Sequence, residues 1–310
     1  MVPDYSLKER LSEGFNGDIL TDIMLRDYTS LRIGGKADYI FMPSDILSLK
    51  GLVDALATEG FGYVLIGGGT NLLVTDAGVQ DVVINMKAFQ SLEKLKDRGD
   101  NSGDDVRFFA QSGLPLQRLI SFCREDGLSG LEGLVGIPGT VGGAVFGNAG
   151  AYGCEIMDVV QKVTVLKGGS IVVLDRKDIN ASYRSGGFSP DTVILGVHMQ
   201  LKRDDKDALQ ERMKEFLQMK KKTQPLGERS AGCVFKNPPA ESAARLIDEA
   251  GFKGMRVGDI EVSTLHANFF INKGQGTAGD FLALMDAVAD GIVKRFGIVL
   301  EPEIGIIGKR

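Results

Sequence analysis

The 310-residue chain has no tryptophan, and histidine (2), cysteine (3) and proline (9) are scarce. Its three cysteines, Cys123, Cys154 and Cys233, are widely separated and odd in number, which argues against a disulfide framework. With only two histidines, a structural zinc site lacks ligands, so we expect no metal. Unpaired cysteines are typical of a reducing compartment, and we therefore expect a cytoplasmic protein.

A strong net charge and long apolar runs are missing as well. The net charge is -5, and no basic block of the kind that follows a nucleic-acid backbone is present. Apolar runs are short, and none approaches the roughly 20 residues that a membrane span needs. The first residues carry charges before an apolar run can form, which is unlike a signal peptide. We expect no nucleic-acid partner, no membrane association and, by default, a monomer.

The pattern along the chain predicts an α+β protein in three segments. Leu7, Leu11 and Phe15 recur at helical spacing, which predicts an N-terminal helical segment over 1–30. From Ala37 onward, short β-rich stretches alternate with amphipathic segments, which predicts a larger domain over 31–200. The texture changes near Lys202, where a charged helical segment leads into a smaller α/β domain over 201–310.

Glycine is the residue in excess, with 41 copies, and its copies are clustered. The first cluster, IGGGTNLLV, runs from Ile66 to Val74 directly after an apolar strand. Consecutive glycines let backbone amides approach a ligand closely, and such a nest of N–H groups favours phosphate. The pattern matches neither the dinucleotide fingerprint nor the P-loop. A tight turn between two strands is the alternative interpretation.

The second cluster, GIPGTVGGAVFGNAG, runs from Gly136 to Gly150 without a single charged residue. An ordinary surface loop tolerates charge. A passage this rich in glycine and free of charge instead indicates backbone packed tightly around something flat and buried.

These two clusters, with TSLRIGGKADY upstream, resemble the FAD-binding half of the UDP-N-acetylenolpyruvoylglucosamine reductases, flavoproteins of the p-cresol methylhydroxylase-like class. The resemblance implies a p-cresol methylhydroxylase-like FAD-binding domain followed by a substrate-binding domain. It also implies that the FAD diphosphate is cradled by Gly67, Gly68, Gly69, Thr70 and Asn71. The implied residues around the flavin and its ribityl chain are Pro138, Gly139, Thr140, Gly142, Gly143, Asn148, Ala149 and Gly150. Neither histidine lies in a glycine loop, so we expect FAD to be bound non-covalently.

Three further segments resemble reductase motifs and occur in the family's order: SYRSGGF, SAGCVFKNP and LEPEIGIIG. The match extends from about Thr29 to Gly308. It implies an FAD-dependent reductase that converts UDP-N-acetylglucosamine enolpyruvate to UDP-N-acetylmuramate with NADPH, in peptidoglycan precursor synthesis.

The same resemblance implies the catalytic residues. Arg184 and Glu303 are expected to hold and polarise the enolpyruvyl carboxylate, since a guanidinium can bind a carboxylate through two parallel hydrogen bonds. Cys233 stands where well-known members carry a serine as proton donor. A thiol, with a reference pKa of ~8.5, is a much better acid than an alkyl hydroxyl, so we predict that Cys233 donates the proton. The alternative is a small residue beside the site, with another group supplying the proton.

Basic and polar residues of the C-terminal part are the candidates for binding substrate. The run Lys220 to Lys222 is placed to meet the diphosphate, with Lys221 as the representative choice, although a solvated helix end is an equally good interpretation of any one of them. Lys236 and Asn237 in VFKNP are also implied to contact substrate. His266 is the remaining candidate, with a core or neighbouring structural histidine as the alternative.

Two local differences define the subtype. The segment between Tyr183 and Val193 is short, so the chain resembles the type II branch, which lacks a long tyrosine-bearing loop over the substrate. Gly186 stands two positions after the arginine, where the family more usually has serine.

Two other functions would also fit part of the sequence. An alcohol or aldonolactone oxidase of the same superfamily would share the glycine loops but should lack Arg184, Cys233 and Glu303 in reductase contexts. A non-catalytic flavin- or nucleotide-sugar-binding protein would fit the change to Cys233, but it would not need a charged pair beside the flavin.

Overall fold

The computed structural model describes residues 14–95 and 105–309, together with Glu9, Leu11 and Ser12. The helices are α1 (Ile46–Glu59), α2 (Leu116–Asp126), α3 (Val141–Phe146), α4 (Lys206–Thr223), α5 (Ala243–Glu249) and α6 (Ala278–Phe296). The strands of the first half are β1 (Gly17–Met24), β2 (Lys36–Pro43), β3 (Tyr63–Ile66), β4 (Leu72–Val74), β5 (Val82–Asn85), β6 (Leu92–Lys94), β7 (Asp105–Gln111) and β8 (Leu128–Ser129). Those that follow are β9 (Gly150–Ala151), β10 (Cys154–Glu155), β11 (Val160–Lys167), β12 (Ser170–Asp175), β13 (Val193–Arg203), β14 (Arg256–Val257), β15 (Ile260–Val262), β16 (Phe270–Asn272) and β17 (Gly305–Ile307).

The longer helices begin and end where their sequences indicate. The Asp45 carboxylate accepts a hydrogen bond from the Ser48 amide at 2.8 Å and caps α1, and Gly60 ends this helix with φ 73°. Thr277 and Asp280 form a capping box at the start of α6, and Gly297 ends that helix. Residues adjacent in sequence therefore set the ends of both helices.

The chain divides into two compact units. The first contains Ile40–Gly68, Val82–Gln218 and the described residues up to Leu20. Its larger sheet has the order β12-β11-β13-β7-β6, with β8 pairing with β13, and its neighbouring strands are antiparallel. Along β7, Val106, Phe108 and Ala110 are buried at every second position, as a strand with one face on the core requires. In the other sheet, of order β1-β2-β5-β3, β5 pairs in parallel with β2 and β3.

The second unit contains Thr21–Tyr39, Gly69–Asp81 and Met219–Arg310. A three-stranded antiparallel sheet, β14-β15-β16, shares a core with α5 and α6, while β17 pairs in parallel with β4. Phe235, Phe270 and Phe281 are among the largest fully buried side chains of this core. No helix among the described residues is both long and apolar enough to cross a bilayer.

Two expectations about organisation differ from the structure. Within the predicted helical segment 1–30, Leu7 lies outside the described residues, Leu11 and Ser12 are helical, and Gly17–Met24 form strand β1. The predicted division near residue 200 also differs, because α4 stays with the first unit up to Gln218, where Leu209 and Met213 enter its core. Gly69–Asp81 belongs to the second unit because β4 within it pairs with β17. Charge and helical texture marked the start of α4 but not the core that it joins.

Candidate active site

In the first unit, the glycine loop that follows β3 runs beside the start of α3. A Cβ atom at Gly67 would lie 2.6 Å from the Thr140 hydroxyl oxygen, closer than any side chain tolerates. Thr140 is the N-cap of α3, and its hydroxyl accepts a hydrogen bond from the Gly143 amide at 3.4 Å. The structure therefore brings together Gly67 of the first cluster and Thr140 of the second.

The glycines of α3 serve two different purposes. A Cβ at Gly142 would lie 2.7 Å from the Cβ of Ser112, so this glycine is required for packing inside the protein. Around Gly143 and Gly147, by contrast, a Cβ would meet nothing closer than 3.5 Å. Gly143 lies in α3 and Gly147 directly follows it, so the backbone is open to close approach at both positions. Open backbone of this kind fits a bound group such as a flat ring.

The Ser112 hydroxyl is a polar group of this region that sequence reasoning missed. Ser112 is 3% exposed, and among the described residues its oxygen has no hydrogen-bond partner. Buried hydroxyls are normally bonded, so an orphaned one beside α3 fits a site completed by a bound group. The serine follows β7 in an unremarkable sequence, and only the packing against Gly142 reveals it.

Asn148 has its side chain committed within the protein. The residue is 1% exposed, and its amide nitrogen donates to the Glu155 carboxylate at 2.6 Å and to the Ser182 carbonyl at 3.0 Å. Its φ of 44° places it in the left-handed region, where asparagine is better tolerated than most residues. Asn148 thus ties the second glycine cluster to the turn that carries Arg184.

Arg184 lies at the tip of a tight turn. Ser182 and Ser185 exchange two backbone hydrogen bonds of 2.8 and 3.0 Å, and Arg184 between them has φ 56°. A non-glycine residue in this region stores strain, which is common at functional sites. The guanidinium Nη1 donates to the Gly150 carbonyl at 3.0 Å, so Arg184 and the end of the second glycine cluster are in direct contact.

The unusual Gly186 has a structural cause. Its amide donates to the Phe146 carbonyl at 2.8 Å, at the end of α3. A Cβ at this position would overlap the carbonyl oxygen of Val145. With this backbone, the serine more usual in the family cannot be accommodated without displacing α3.

In the second unit, the rest of the first glycine cluster is joined to the segment that carries Glu303. Gly69 has φ 61°, and a Cβ there would overlap the Tyr28 carbonyl oxygen. The Asn71 side-chain amide donates to the Glu303 carbonyl at 3.1 Å, and the Asn71 carbonyl accepts from the Gly305 amide at 2.9 Å. The side chain predicted to meet the diphosphate therefore also holds the backbone beside Glu303.

Cys233–Lys236, here called the reductase strip, is hydrogen-bonded to the same segment. The Glu303 amide donates to the Val234 carbonyl at 2.8 Å, and the Lys236 amide donates to the Glu301 carbonyl at 2.8 Å. Cys233 and Glu303 thus lie on neighbouring, directly bonded stretches of chain, although 70 positions separate them in sequence. The Lys236 ammonium forms an ion pair with Glu301 at 3.4 Å.

Asn237, which follows the strip, has a structural contact of its own. Its side-chain oxygen accepts from the Ala243 amide at 3.0 Å, at the start of α5. Asn237 thereby fixes the turn between the strip and this helix.

The three lysines at the end of α4 have different surroundings. Lys220 is 2% exposed, and burial lowers the pKa of its ammonium from 10.5 to about 8. Lys221 is exposed and lines a cavity of about 520 Å³, together with Ser263, Thr264 and Lys273. Lys222 is exposed. Of the three, Lys221 is the one that lines this cavity.

His266 lies against the ring of Phe269, with the ring centroids 4.8 Å apart. Its Nδ1 atom is buried and has no hydrogen-bond partner among the described residues. Burial lowers the pKa of His266 below its ordinary 6.5, and the positive charge of Lys253 adds to this effect. The imidazole is therefore neutral at pH 7.

Comparisons with known proteins identify the class from this fold and these loops. A family model described as an FAD binding domain matches residues 37–175. The structure of wild-type Phl p 4.0202, a glucose dehydrogenase, aligns with a TM-score of 0.51 at 12% identity, over 65% of this chain and 44% of that one. This likeness shows a shared fold. The protein is an FAD-binding protein of the p-cresol methylhydroxylase-like fold, as predicted.

The family follows from closer relatives. A second family model, described as the C-terminal domain of UDP-N-acetylenolpyruvoylglucosamine reductase, matches residues 224–307. The UDP-N-acetylenolpyruvoylglucosamine reductase of Geotalea uraniireducens is 38% identical over 97% of this chain and 98% of its own. The crystal structure of the reductase (MurB) from Thermus caldophilus aligns with a TM-score of 0.78 at 36% identity, over 94% of this chain and 98% of that one. The chain belongs to the UDP-N-acetylenolpyruvoylglucosamine reductase family, which confirms the predicted FAD-dependent reductase.

Proposed function

We propose that Arg184, Cys233 and Glu303 carry out the reduction of UDP-N-acetylglucosamine enolpyruvate to UDP-N-acetylmuramate, with NADPH as the source of hydride. When bound, FAD supplies the hydride chemistry. The protein must stabilise the negative charge that builds up beside the carboxylate of the reduced vinyl ether, and it must deliver a proton to carbon.

The cofactor assignments are supported by loop geometry. Gly67, Gly68, Gly69 and Thr70 present a backbone that side chains would obstruct at Gly67 and Gly69, and an amide-rich loop of this kind suits a diphosphate. The open backbone at Gly143 and Gly147 suits the flavin ring. Thr140 and the Ser112 hydroxyl are the polar groups beside it. The remaining assignments are Asn71, Pro138, Gly139, Gly142, Asn148, Ala149 and Gly150.

Arg184 binds the enolpyruvyl carboxylate and stabilises the charge that develops on it. Support comes from its strained turn and its contact with the Gly150 carbonyl, since both restrict where the guanidinium can go. A charged group held in advance need not reorganise when the substrate reacts, which is the basis of electrostatic catalysis.

Cys233 donates the proton, and Glu303 interacts with the substrate carboxylate. The observation that carries this proposal is the hydrogen bond from the Glu303 amide to the Val234 carbonyl, which fixes the two catalytic segments against each other. Proton transfer needs a donor whose pKa is close to the working pH, and a thiol meets this condition far better than an alkyl hydroxyl.

The substrate's nucleotide diphosphate is assigned to the second unit. Lys221, which lines the cavity, is the proposed diphosphate contact. Lysine binds phosphate as a point charge and imposes no fixed fork geometry. Lys236 at the end of the reductase strip, Asn237 after it, and His266 are proposed to contact other parts of the substrate. We also propose a cytoplasmic location, in keeping with three cysteines that are too few and too widely separated for a disulfide framework, and a monomer as the default state.

The test separates the two half-reactions under anaerobic conditions. In the first, NADPH reduces the purified enzyme. In the second, the reduced enzyme is mixed with UDP-N-acetylglucosamine enolpyruvate and its reoxidation is followed by absorbance. Replacing Cys233 with alanine should leave the first rate within about threefold and slow the second by roughly 10²–10⁴, the usual contribution of a general acid. Cys233→Ser should retain more activity than the alanine variant.

Unchanged reoxidation in Cys233→Ala would remove the thiol as proton donor while leaving the reductase assignment intact. Failure of the wild-type enzyme to be reoxidised by this substrate would overturn the proposed reaction. Replacing NADPH with NADH in the first half-reaction tests the choice of donor.

A further inference from the structure

The side chain of Asn268 pairs with the backbone of the reductase strip in the way that a neighbouring strand would. It lies two residues before β16 and is 2% exposed. Its side-chain oxygen accepts from the Phe235 amide at 3.0 Å, and its side-chain nitrogen donates to the Phe235 carbonyl at 2.7 Å. One amide side chain thus satisfies both backbone groups of a single residue, as a neighbouring peptide unit would.

The backbone of Asn268 holds the strip as well. Its carbonyl accepts from the Val234 amide at 2.8 Å. Within the part of the chain that the structure describes, the strip forms isolated bridges, Cys233 with Phe269 and Phe235 with Pro302, and no continuous ladder. A short segment without a ladder depends on each remaining contact for its position.

Removing the side-chain amide would leave the Phe235 N–H and C=O groups without these partners at a residue that is 2% exposed. Unpaired buried backbone groups are costly, so the strip would shift to find other partners. Cys233 is two residues away and Lys236 is adjacent, and both would move with it. The Glu303 amide, bonded to Val234, would lose its fixed partner.

We infer that Asn268 is a positioning residue that sets the placement of the Cys233 thiol and of Glu303 through its paired hydrogen bonds with the Phe235 backbone. This inference rests on the proposed role of Cys233 only where turnover is concerned. It concerns the position of the thiol itself, which can be measured without turnover.

Asn268→Asp is the sharpest variant because it preserves shape and removes one donor. The ionised carboxylate can still accept from the Phe235 amide, but it faces the Phe235 carbonyl with a second acceptor. Burial and this unfavourable neighbour should raise the pKa of the new carboxyl group. Once protonated, the carboxyl can donate to the carbonyl and restore both bonds, so the defect should be repaired as pH falls.

Asn272→Asp is a matched control. Asn272 is the last residue of β16 and is 3% exposed. Its side chain donates to the Leu31 carbonyl and accepts from the Gly274 and Gly276 amides, away from the reductase strip. Both variants introduce a buried carboxyl where an amide made backbone hydrogen bonds. A loss of general stability should therefore affect them alike.

The first measurement is alkylation of Cys233 by iodoacetamide in the holoenzyme, followed by peptide mass spectrometry from pH 6 to 9. Asn268→Asp should change the Cys233 rate at pH 8 at least threefold, and the difference from wild type should shrink toward pH 6. Asn272→Asp should stay within twofold throughout. Cys123, whose pKa burial raises to about 12, serves as an internal unreactive thiol.

The second measurement is the reoxidation half-reaction with UDP-N-acetylglucosamine enolpyruvate. Asn268→Asp should slow it at least tenfold at pH 8, with partial recovery at pH 6 relative to wild type, while reduction by NADPH changes less than threefold. If altered alkylation occurs in Asn268→Asp while Cys233→Ala turns over normally, the positioning role stands and the proton-donor proposal fails.

Equal effects of Asn268→Asp and Asn272→Asp on both measurements would overturn the inference. Asn268→Ser is the substitute if the aspartate variant does not fold, because its shorter hydroxyl cannot reach both Phe235 groups and introduces no charge. It should change Cys233 alkylation at least threefold without any recovery at low pH.

Discussion

The two units rely to different degrees on glycines and on amide side chains to fix their functional backbones, with Asn148 in the first unit and Gly69 in the second as exceptions. In the first, close approach is achieved by leaving side chains out, at Gly67, Gly142 and Gly186, where a Cβ would collide with a neighbour. In the second, short irregular segments are held by amide side chains, those of exposed Asn71 and of buried Asn268 and Asn272. Every other amino acid would add a Cβ atom at these glycines, whereas an asparagine can be exchanged for a residue of similar shape. The first unit should therefore tolerate less change at these positions.

The largest expected effect is the loss of stability when a side chain is added at Gly186. Gly186→Ser introduces a Cβ that overlaps the Val145 carbonyl oxygen, so α3 or the Arg184 turn must move. We expect a loss of more than about 3 kcal/mol in the free energy of unfolding, measured by urea denaturation. The control is Gly51→Ser in α1, where nothing lies within 4 Å of the new Cβ. Similar stability of the two variants would show that the turn adapts freely.

The second effect concerns the side chain that this turn presents. Arg184→Lys keeps the charge but loses the planar fork, and we expect kcat to fall by roughly 10², as for loss of one oriented electrostatic donor. Arg176→Lys is the matched control, since Arg176 also binds backbone carbonyls of the first unit, those of Met157 and Ile179. Steady-state kinetics with both substrates decide the outcome, and equal losses in the two variants would contradict a catalytic role.

The comparison also explains what the sequence could predict. Glycine clusters are visible in a sequence because their composition is extreme, and they led to the FAD-binding fold and to the loops at Gly67 and Thr140. Helix boundaries were equally visible, as at Thr277 and Gly297, because capping depends on local residues. Longer strands such as β7 and β13 could be located from short β-rich stretches, whereas the order of strands in the sheets could not.

The amide contacts could not be predicted in the same way. Asn268 and Phe235 are 33 positions apart, and nothing in either local sequence specifies that one side chain will pair with the other's backbone. The discontinuous bounds of the two compact units were missed for a related reason, because the pairing of β4 with β17 joins distant parts of the chain. Ser112 became visible only through its packing against Gly142.

The third prediction concerns Lys220, a buried lysine of the second unit, and its effect on how stability changes with pH. Because the folded-state pKa of Lys220 is lowered to about 8, the folded protein loses this proton before the unfolded chain does. Between about pH 8 and 10.5 the unfolded state binds more protons, so this residue makes stability rise with pH across that window. The full effect is about 3 kcal/mol, as an order of magnitude.

Lys220→Met should remove this contribution. The variant should gain most over wild type below pH 8, and its advantage should shrink as pH rises toward 10.5, as measured by urea denaturation at several pH values. Lys222→Met changes an exposed residue of the same helix and should show no such trend. A constant difference between Lys220→Met and wild type would show that the ammonium is not desolvated in the folded state.

The smallest effect tests whether a glycine matters through space or through backbone conformation. Gly51 and Gly60 both have open surroundings, with nothing within 4 Å of an added Cβ. They differ in backbone, because Gly51 lies inside α1 whereas Gly60 ends it with φ 73°. Gly51→Ala should raise the free energy of unfolding by about 0.8–1 kcal/mol through helix propensity. Gly60→Ala should lower it by about 1 kcal/mol, because alanine is strained in the left-handed region. Shifts of the thermal midpoint in opposite directions would show that backbone conformation, and not available space, determines the effect on stability. Shifts of the same sign would mean that the end of α1 rearranges around the new side chain.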